Sequence, residues 1–240
     1  MLIIAHRGLS GDYPENTILS FRKAVEFEIP MIELDITLSS DLVPVVIHDD
    51  SLDRTTSGSG LVREKEISEL KSLDAGVWFH KDFIGERIPT LDEVLTLIKD
   101  SETDLNIEIK SGDYDLREIE RIALSLVEKY ALVDRVVFSS FDKEILVKLR
   151  KLSPKLNLAY LIENEVDSIE LIKFYEDFGL SSINISKELV GTELHKKIYD
   201  LNLPVLVYTI NHFEEYYELQ KWNIKGIFTN YATYFQEIIS

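Results

Sequence analysis

The sequence predicts an α/β protein folded as a (β/α)8 TIM barrel, in which eight parallel strands alternate with helices. Its 240 residues are enough for one such barrel. Short β-branched runs alternate with segments of helical periodicity, a pattern typical of parallel βαβ units. No glycine-rich phosphate loop follows an early strand, which disfavours a doubly wound open sheet. We therefore expect a single domain over residues 1–240.

Nine short apolar runs are strand candidates, one more than a barrel needs. They are Leu2–Ala5, Met31–Thr37, Val43–Ile47, Leu105–Ile109, Arg135–Phe138, Leu156–Leu161, Ser182–Ile185, Pro204–Thr209 and Gly226–Phe228. Only residues 38–42 separate the second run from the third, whereas a parallel crossover needs about a dozen residues or more. These two runs are therefore predicted to form an antiparallel β-hairpin after the second strand, which leaves eight strands for the barrel.

Helical periodicity fills the intervals between the other runs, as in Ile18, Phe21 and Val25 and in Leu116, Ile119, Ala123 and Leu126. Two helix starts carry a capping signal, because Thr90-x-x-Glu93 and Asp167-x-x-Glu170 place a carboxylate three residues after a capping side chain. These signals predict helices that begin directly after Thr90 and Asp167.

Residues 51–89 interrupt this alternation. The stretch includes Thr55-Thr56-Ser57-Gly58-Ser59-Gly60 and is too long to be a plain loop. We expect an insertion at about 51–89 that forms a small subdomain over one face of the barrel.

The composition is strongly acidic, with 43 Asp and Glu against 26 Lys and Arg and a net charge of −17. Such a charge argues against nucleic-acid binding and against stable association with anionic membranes, and it repels anionic substrates unless a basic group or a cation reverses the field locally. The absence of cysteine excludes disulfides and thiolate metal sites. The apolar run at the start is too short for a signal peptide, so we expect a soluble, cytoplasmic protein.

Carboxylates gather where the predicted strands end, which is the functional end of such a barrel. Glu33 and Asp35 share one face of the second strand, and Glu108 lies on the fourth. Three converging carboxylates repel one another unless a hard cation with oxygen ligands binds them, so Mg²⁺ or Ca²⁺ is predicted. A hairpin turn near Ser40 brings His48 back to face Glu33 or Asp35 directly.

Two histidines also lie at strand ends, His6 after the first strand and His48 after the third. Beside a bound anion they suit a general acid and a general base, while Arg7 and Lys110 suit phosphate contacts. The chemistry predicted is phosphodiester cleavage. Lys110 has a structural alternative, a salt bridge to Glu33 or Glu108. His195 falls within a helical pattern and is expected at the surface.

Six motifs occur in order at the predicted strand ends: His6-Arg7-Gly8, Pro14-Glu15-Asn16-Thr17, Glu33-Leu34-Asp35, His48-Asp49, Glu108-Ile109-Lys110 and Phe138-Ser139-Ser140-Phe141. With them the sequence resembles the glycerophosphodiester phosphodiesterases over essentially its whole length. Asp53-Arg54-Thr55-Thr56-Ser57-Gly58 and Ile88-Pro89-Thr90-Leu91 extend the resemblance into the insertion.

The resemblance implies a metal-dependent enzyme that hydrolyses small glycerophosphodiesters to an alcohol and sn-glycerol 3-phosphate, in lipid and glycerol metabolism. It implies Glu33, Asp35 and Glu108 as ligands of one Mg²⁺ or Ca²⁺ ion. His6 and His48 become the acid and base, in either order, and Arg7 and Lys110 the phosphate contacts. The attacking group is left open between water and the substrate's own glycerol hydroxyl, as is the oligomeric state.

Asn16 has two interpretations. The resemblance implies an active-site polar group that binds substrate, whereas its place before the helix at Ile18 suits an N-cap. Two positions depart from the family pattern, because Tyr208-Thr209 replaces Trp-Thr and Thr229-Asn230 replaces Thr-Asp. We expect these departures to alter substrate preference or rate. Two alternative functions are a lysophospholipase D-like activity on lysophospholipids and a catalytically silent barrel that binds phosphodiesters.

Overall fold

The computed structural model describes residues 1–110 and 118–239 and confirms the barrel. The strands are β1 (Leu2–Ala5), β2 (Met31–Leu38), β3 (Pro44–Val46), β4 (Asp104–Ile109), β5 (Val136–Ser140), β6 (Asn157–Ile162), β7 (Ser182–Ser186), β8 (Val205–Tyr208) and β9 (Ile224–Thr229). All nine predicted runs form strands, with ends that differ by at most two residues. Strand β1 pairs in parallel with both β2 and β9, which closes a ring of eight parallel strands.

The described helices are α1 (Ile18–Glu26), α2 (Ile67–Leu70), α3 (Leu91–Ile98), α4 (Ile119–Lys129), α5 (Lys143–Leu152), α6 (Ser168–Phe178), α7 (Glu193–Asp200), α8 (Phe213–Leu219) and α9 (Ala232–Ile239). Both capping signals are confirmed: Thr90 and Glu93 form a reciprocal capping box, and the Asp167 carboxylate accepts from two backbone N–H groups of the first turn of α6. Leu116, predicted at the start of the α4 pattern, lies outside the described residues.

The hairpin is confirmed, but its predicted register is wrong. Strand β3 is antiparallel to β2, with Ile36 opposite Val46 and Leu38 opposite Pro44. Continued further, this register would place His48 opposite Leu34 and therefore on the other face. The ladder ends at Val46, and the backbone N–H of the next residue, Ile47, still donates to the Asp35 carbonyl at 3.1 Å. His48 lies beyond the ladder, so a bend and not strand pairing determines where its side chain points.

The hydrophobic core has two parts. The larger one fills the barrel and the space between its strands and the surrounding helices, with Phe21, Phe138 and Phe235 among its fully buried side chains. The smaller one is formed by β3 and by the chain segment between β3 and α3. It consists of Val45, Ile47, Leu52, Val62, Leu70, Ala75 and Ile88. Residues 51–89 therefore bury an apolar cluster of their own against the β3 side of the barrel.

His195 lies inside the protein and not at the surface, so that prediction is wrong. Its residue is 1% exposed, its ring packs on Trp222 at 4.7 Å between centroids, and Nδ1 accepts a hydrogen bond from the Gly191 backbone N–H. A helical pattern shows which residues share a face but not which face is turned inward. His195 belongs to the inner face of α7. Among the described helices, none combines the length and the apolar content needed to cross a bilayer.

Candidate active site

Three buried carboxylates converge at the carboxyl ends of β2 and β4. Glu33 and Asp35 alternate along β2 and share one face, and Asp35 pairs with Glu108 across the ladder between β2 and β4. The three residues are only 3%, 1% and 9% exposed. One oxygen of each carboxylate lies within 4.8 Å of the others. The predicted ligand set is therefore brought together by the parallel register of two neighbouring strands.

These carboxylates differ in how readily they lose a proton. Burial, with the charges of Asp35 and Glu108 added, raises the pKa of Glu33 well above its ordinary value. Burial and the charge of Asp35 likewise raise the pKa of Glu108 to about 7. Burial acts on Asp35 in the same direction, but Lys110 and Arg7 outweigh it and hold the pKa of Asp35 at about 2. The protein around the cluster therefore disfavours the state in which all three carboxylates are ionised at once.

The residues present fit a bound divalent cation. The buried Oδ1 of Asp35 accepts no hydrogen bond within residues 1–110 and 118–239, although the Lys110 ammonium lies 3.5 Å away. A buried acceptor without a partner is costly, and a cation would satisfy it. All three donors are carboxylate oxygens, and hard cations such as Mg²⁺ and Ca²⁺ bind oxygen ligands in preference to nitrogen or sulfur. The acidic cluster could therefore hold a metal ion through Glu33, Asp35 and Glu108.

Two cations border the carboxylates. The Arg7 backbone N–H donates to the Glu33 carboxylate at 2.8 Å, and its guanidinium Nε lies 3.5 Å from Asp35. The Lys110 ammonium donates to Glu108 at 2.7 Å. Although burial opposes the change, nearby carboxylates raise the pKa of both basic groups, so both remain charged. The salt bridge between Lys110 and Glu108 that the sequence offered as an alternative is present.

A tight turn after β1 presents Arg7 to the site. Arg7 and Gly8 both have positive φ, 58° and 78°. The Arg7 carbonyl accepts a hydrogen bond from the Ser20 hydroxyl at 2.9 Å. A Cβ on Gly8 would collide with that same hydroxyl, so the turn requires glycine both for its backbone angle and for space.

The two histidines have different partners. Nδ1 of His6 lies 2.7 Å from the side-chain oxygen of Asn230, whereas Nδ1 of His48 lies 2.6 Å from the carboxylate of Asp49. Burial and the positive charge of Arg7 lower the pKa of His6 to about 4. Burial lowers the pKa of His48 as well, against the opposing charge of Asp35. Both imidazoles are therefore neutral at neutral pH in the metal-free protein.

Asn16 acts on a carboxylate and not on the helix that follows it. Its amide donates to the Asp35 carboxylate at 2.9 Å, and the residue is 4% exposed with a φ of 55°. The N-cap of α1 is Thr17, whose hydroxyl accepts from the Ser20 backbone N–H. The N-cap interpretation of Asn16 is therefore wrong, and its side chain holds Asp35 instead.

A cavity of about 180 Å³ opens at this end of the barrel. Its polar side is lined by His6, Arg7, Glu33, His48, Asn106, Glu108 and Lys110. Its opposite wall is lined by Phe141, Leu161, Glu163, Tyr208, Thr209 and Phe228. Both histidines, both cations and two of the three clustered carboxylates thus face one cavity that has an aromatic wall.

Tyr208 belongs to that wall. Its ring meets Phe141 edge to face at 6.1 Å between centroids. Its hydroxyl is buried and has no hydrogen-bond partner among the described residues, and burial raises its pKa. The ring supplies the apolar surface that a larger tryptophan would supply at this position.

Three residues for which the sequence predicts no role, Glu15, Asp49 and Arg54, lie beside His48 and Arg7. Arg54 donates to the carboxylates of both Glu15 and Asp49. All three belong to motifs that were noted in the sequence, Pro14-Glu15-Asn16-Thr17, His48-Asp49 and Asp53-Arg54-Thr55. Their position beside predicted site residues was the available signal, but only the structure shows that they contact one another.

Comparison with known proteins agrees with this geometry. The model of the glycerophosphoryl diester phosphodiesterase family matches residues 6–233. A glycerophosphodiester phosphodiesterase of Caldanaerobacter subterraneus is 39% identical over 95% of this chain and 93% of its own length. One from Bacillus subtilis is 33% identical over 99% of this chain and 86% of its own.

One relative has a solved structure that contains a bound ligand. An Oleispira antarctica phosphodiesterase, in complex with the product sn-glycerol-3-phosphate, is 30% identical to this chain. The two superpose with a TM-score of 0.88, covering 100% of this chain and 96% of the other. Taken with the barrel and its acidic cluster, these matches show that the chain belongs to the glycerophosphoryl diester phosphodiesterase family and is a phosphoric diester hydrolase.

Proposed function

We propose that the chain hydrolyses small glycerophosphodiesters to an alcohol and sn-glycerol 3-phosphate, with one Mg²⁺ or Ca²⁺ ion and with His6 and His48 as general acid and base. The observation that carries this proposal is the shared cavity: both imidazoles line the space that Glu33 and Glu108 also line. The product bound by the Oleispira antarctica relative supports the same substrate class.

The phosphate group suits the cationic part of the cavity. Arg7 offers a planar fork of N–H donors and Lys110 a point charge, and the two together can hold two equatorial phosphate oxygens. In a chain with a net charge of −17, these local charges supply the attraction that an anionic substrate needs. A divalent ion held by Glu33, Asp35 and Glu108 would neutralise further negative charge on the phosphate.

Proton transfer falls to the two histidines. Cleavage of the P–O bond requires one group to take a proton from the attacking water or glycerol hydroxyl and another to protonate the departing alcohol. His6 and His48 come from different strands, β1 and the end of the hairpin, and meet at one cavity. Each ring has its Nδ1 engaged by a protein oxygen, so Nε2 is the nitrogen available to the substrate.

The size of the cavity favours a small diester. At about 180 Å³ it is below the roughly 300–1,000 Å³ of pockets that enclose drug-sized ligands. A glycerophosphodiester with a small head group suits this volume better than a lysophospholipid, whose acyl chain would extend outside it. We further propose that residues 51–89 form an insertion within one domain and that the reaction belongs to lipid and glycerol metabolism in the cytoplasm.

The test is coupled release of glycerol 3-phosphate from glycerophosphocholine and glycerophosphoethanolamine. Metal-stripped protein, protein with EDTA, and protein with Mg²⁺ or Ca²⁺ added back are compared. The variants are wild type, His6→Ala, His48→Ala and, as a matched control, His80→Ala, which removes an exposed histidine outside the cavity. We expect activity that disappears with EDTA, returns with metal, is retained in His80→Ala and is lost in both cavity variants.

Lysophosphatidylcholine is the comparison substrate. Release of choline from it, without release from glycerophosphocholine, would replace the proposal by the lysophospholipase D-like activity. Binding of diesters without turnover under any metal condition would support the silent barrel. Turnover that survives both EDTA and His48→Ala would overturn the mechanism.

A further inference from the structure

The guanidinium of Arg54, from the 51–89 segment, forms hydrogen bonds with two carboxylates beside the cavity. Nε and Nη2 of Arg54 donate to the two oxygens of Asp49 at 2.7 and 3.0 Å. Nη1 and Nη2 donate to the two oxygens of Glu15 at 2.9 and 2.8 Å. Arg54 thus forms two bidentate ion pairs at once, which is the geometry in which arginine differs most from lysine.

The first of these carboxylates, that of Asp49, also contacts His48. The same Asp49 oxygen that accepts from Arg54 Nη2 lies 2.6 Å from Nδ1 of His48. The hydrogen bond from Arg54, with that of His48, holds the pKa of Asp49 well below its usual range, so Asp49 is a carboxylate that only accepts hydrogen bonds. A neutral His48 must then carry its hydrogen on Nδ1, which leaves the Nε2 lone pair free.

The second carboxylate, that of Glu15, also accepts a hydrogen bond from Arg7. Oε1 of Glu15 accepts from Arg54 Nη2 and also from Arg7 Nη1 at 2.9 Å. Glu15 is buried to the extent that only 12% of its side chain is exposed, and Arg7 is 17% exposed. The fork of Arg7 is therefore oriented by a carboxylate that Arg54 itself holds in place.

We propose that Arg54 is a positioning residue that fixes, through Asp49 and Glu15, both the tautomer of His48 and the orientation of Arg7. The inference rests on the proposed function, because it assumes that His48 transfers a proton and that Arg7 binds the phosphate. It also gives the 51–89 segment a part in the reaction, although none of the groups assigned to chemistry belongs to it.

The contribution of Arg54 to folding is expected to be small. Its side chain is 43% exposed, and exposed ion pairs stabilise proteins little. Misplacing a reacting group by about 1 Å, in contrast, can lower a rate by roughly 100-fold. Arg54→Ala should therefore fold normally and react slowly.

The kinetic experiment separates the effect of Arg54 on His48, through Asp49, from its effect on Arg7, through Glu15. Asp49→Asn, which keeps the shape but permits either tautomer, should lower kcat for glycerophosphocholine by about 10- to 100-fold with little change in KM. Glu15→Gln should raise KM mainly. Arg54→Ala should do both, and Arg54→Lys should not restore them, because a point charge cannot form two bidentate pairs. Arg87→Ala removes an exposed arginine of the same segment and should behave as wild type.

A second readout does not depend on turnover. In metal-free protein labelled with ¹⁵N-histidine, NMR at neutral pH should show His48 with its hydrogen on Nδ1 in wild type and in Arg87→Ala. Asp49→Asn and Arg54→Ala should shift it towards a mixture of tautomers. Wild-type His48 protonated on Nε2, or an Arg54→Ala protein with the kinetics of Arg87→Ala, would overturn the proposal. A wild type that releases no glycerol 3-phosphate would sink the proposed function instead, and the tautomer of His48 would still decide whether Arg54 positions it.

Discussion

The side-chain oxygen of Asn230 lies 2.7 Å from Nδ1 of His6, so the first of the two cavity histidines is held by a neutral amide. The second, His48, is held by a carboxylate. Asn230 stands where the family pattern has aspartate, and the structure shows what that departure touches. The residue at this position is the hydrogen-bond partner of a cavity histidine.

Asn230→Asp should raise the pKa of His6. An opposite charge in hydrogen-bond contact favours the imidazolium, by roughly one to three pKa units, whereas burial and Arg7 now hold the pKa at about 4. NMR titration of the His6 ring in metal-free protein measures the change. Asn223→Asp, which adds the same charge at an exposed position, is the control. An identical His6 titration in both variants would show that residue 230 does not control it.

Metal removal should reveal the cost of the buried carboxylates, and more so at higher pH. Glu108 has its pKa raised from 4.5 to about 7, so between these values the native state holds a proton that the unfolded state has lost. Stability from this group is therefore lost as the pH rises through that window, at up to about 1.4 kcal/mol per pH unit. We expect Mg²⁺ or Ca²⁺ to raise Tm more at pH 8 than at pH 5.5.

Glu108→Gln is the control for this prediction, because His6 and His48, with lowered pKa values, give a slope of the opposite sign at mildly acidic pH. The difference in unfolding free energy between wild type and Glu108→Gln, both metal-free, cancels that contribution. Relative to the variant, wild type should become less stable from pH 5 to pH 8. A difference that is constant or has the opposite slope would contradict the raised pKa of Glu108.

Asn16→Gly should weaken metal binding. The substitution removes the amide that donates to Asp35 and keeps the positive φ, which glycine tolerates. Groups that orient a metal ligand typically contribute about 10- to 100-fold in affinity. The metal concentration that gives half-maximal activity should rise by that factor, while KM for the diester at saturating metal stays the same. The reverse result would instead support the prediction from sequence that Asn16 binds substrate.

Gly8→Ala should destabilise the protein by about 2–4 kcal/mol, since the new methyl group adds overpacking against Ser20 to the cost of a positive φ. Gly60→Ala is a matched control, because Gly60 also has a positive φ, of 90°, but has nothing within 4 Å of the added carbon. Urea denaturation of the three proteins measures both effects. Equal losses in the two variants would show that the contact with Ser20 is not the cause.

The sequence predicts the barrel, and the gathering of the three carboxylates, well where local rules are strong. Alternation along β2 places Glu33 and Asp35 on one face whatever the tertiary structure, and the short link to β3 permits only a hairpin. The capping box at Thr90 likewise depends on residues within one turn of helix. Such features depend on neighbours in the chain, which a sequence displays.

Features that depend on distant contacts were missed. The predicted register of the hairpin was wrong because it assumed that β3 continues as far as His48, whereas the ladder ends at Val46 and the chain bends after it. The buried position of His195 depends on its contact with Trp222 from a separate segment. The junction of Arg54 with Glu15 spans 39 positions in sequence, and no periodicity relates those two residues.

The residues that line the cavity fall into two groups along the chain. The ionisable groups proposed for the reaction end at Lys110, the aromatic wall begins at Phe141, and Asn230 links the two halves by its contact with His6. Recombination between relatives at a point between β4 and β5 would therefore exchange the wall and keep the reacting groups together. Loops of the carboxyl-terminal half can therefore be replaced to change the wall while the proposed reacting groups stay together, provided that the residue at position 230, which contacts His6, is kept.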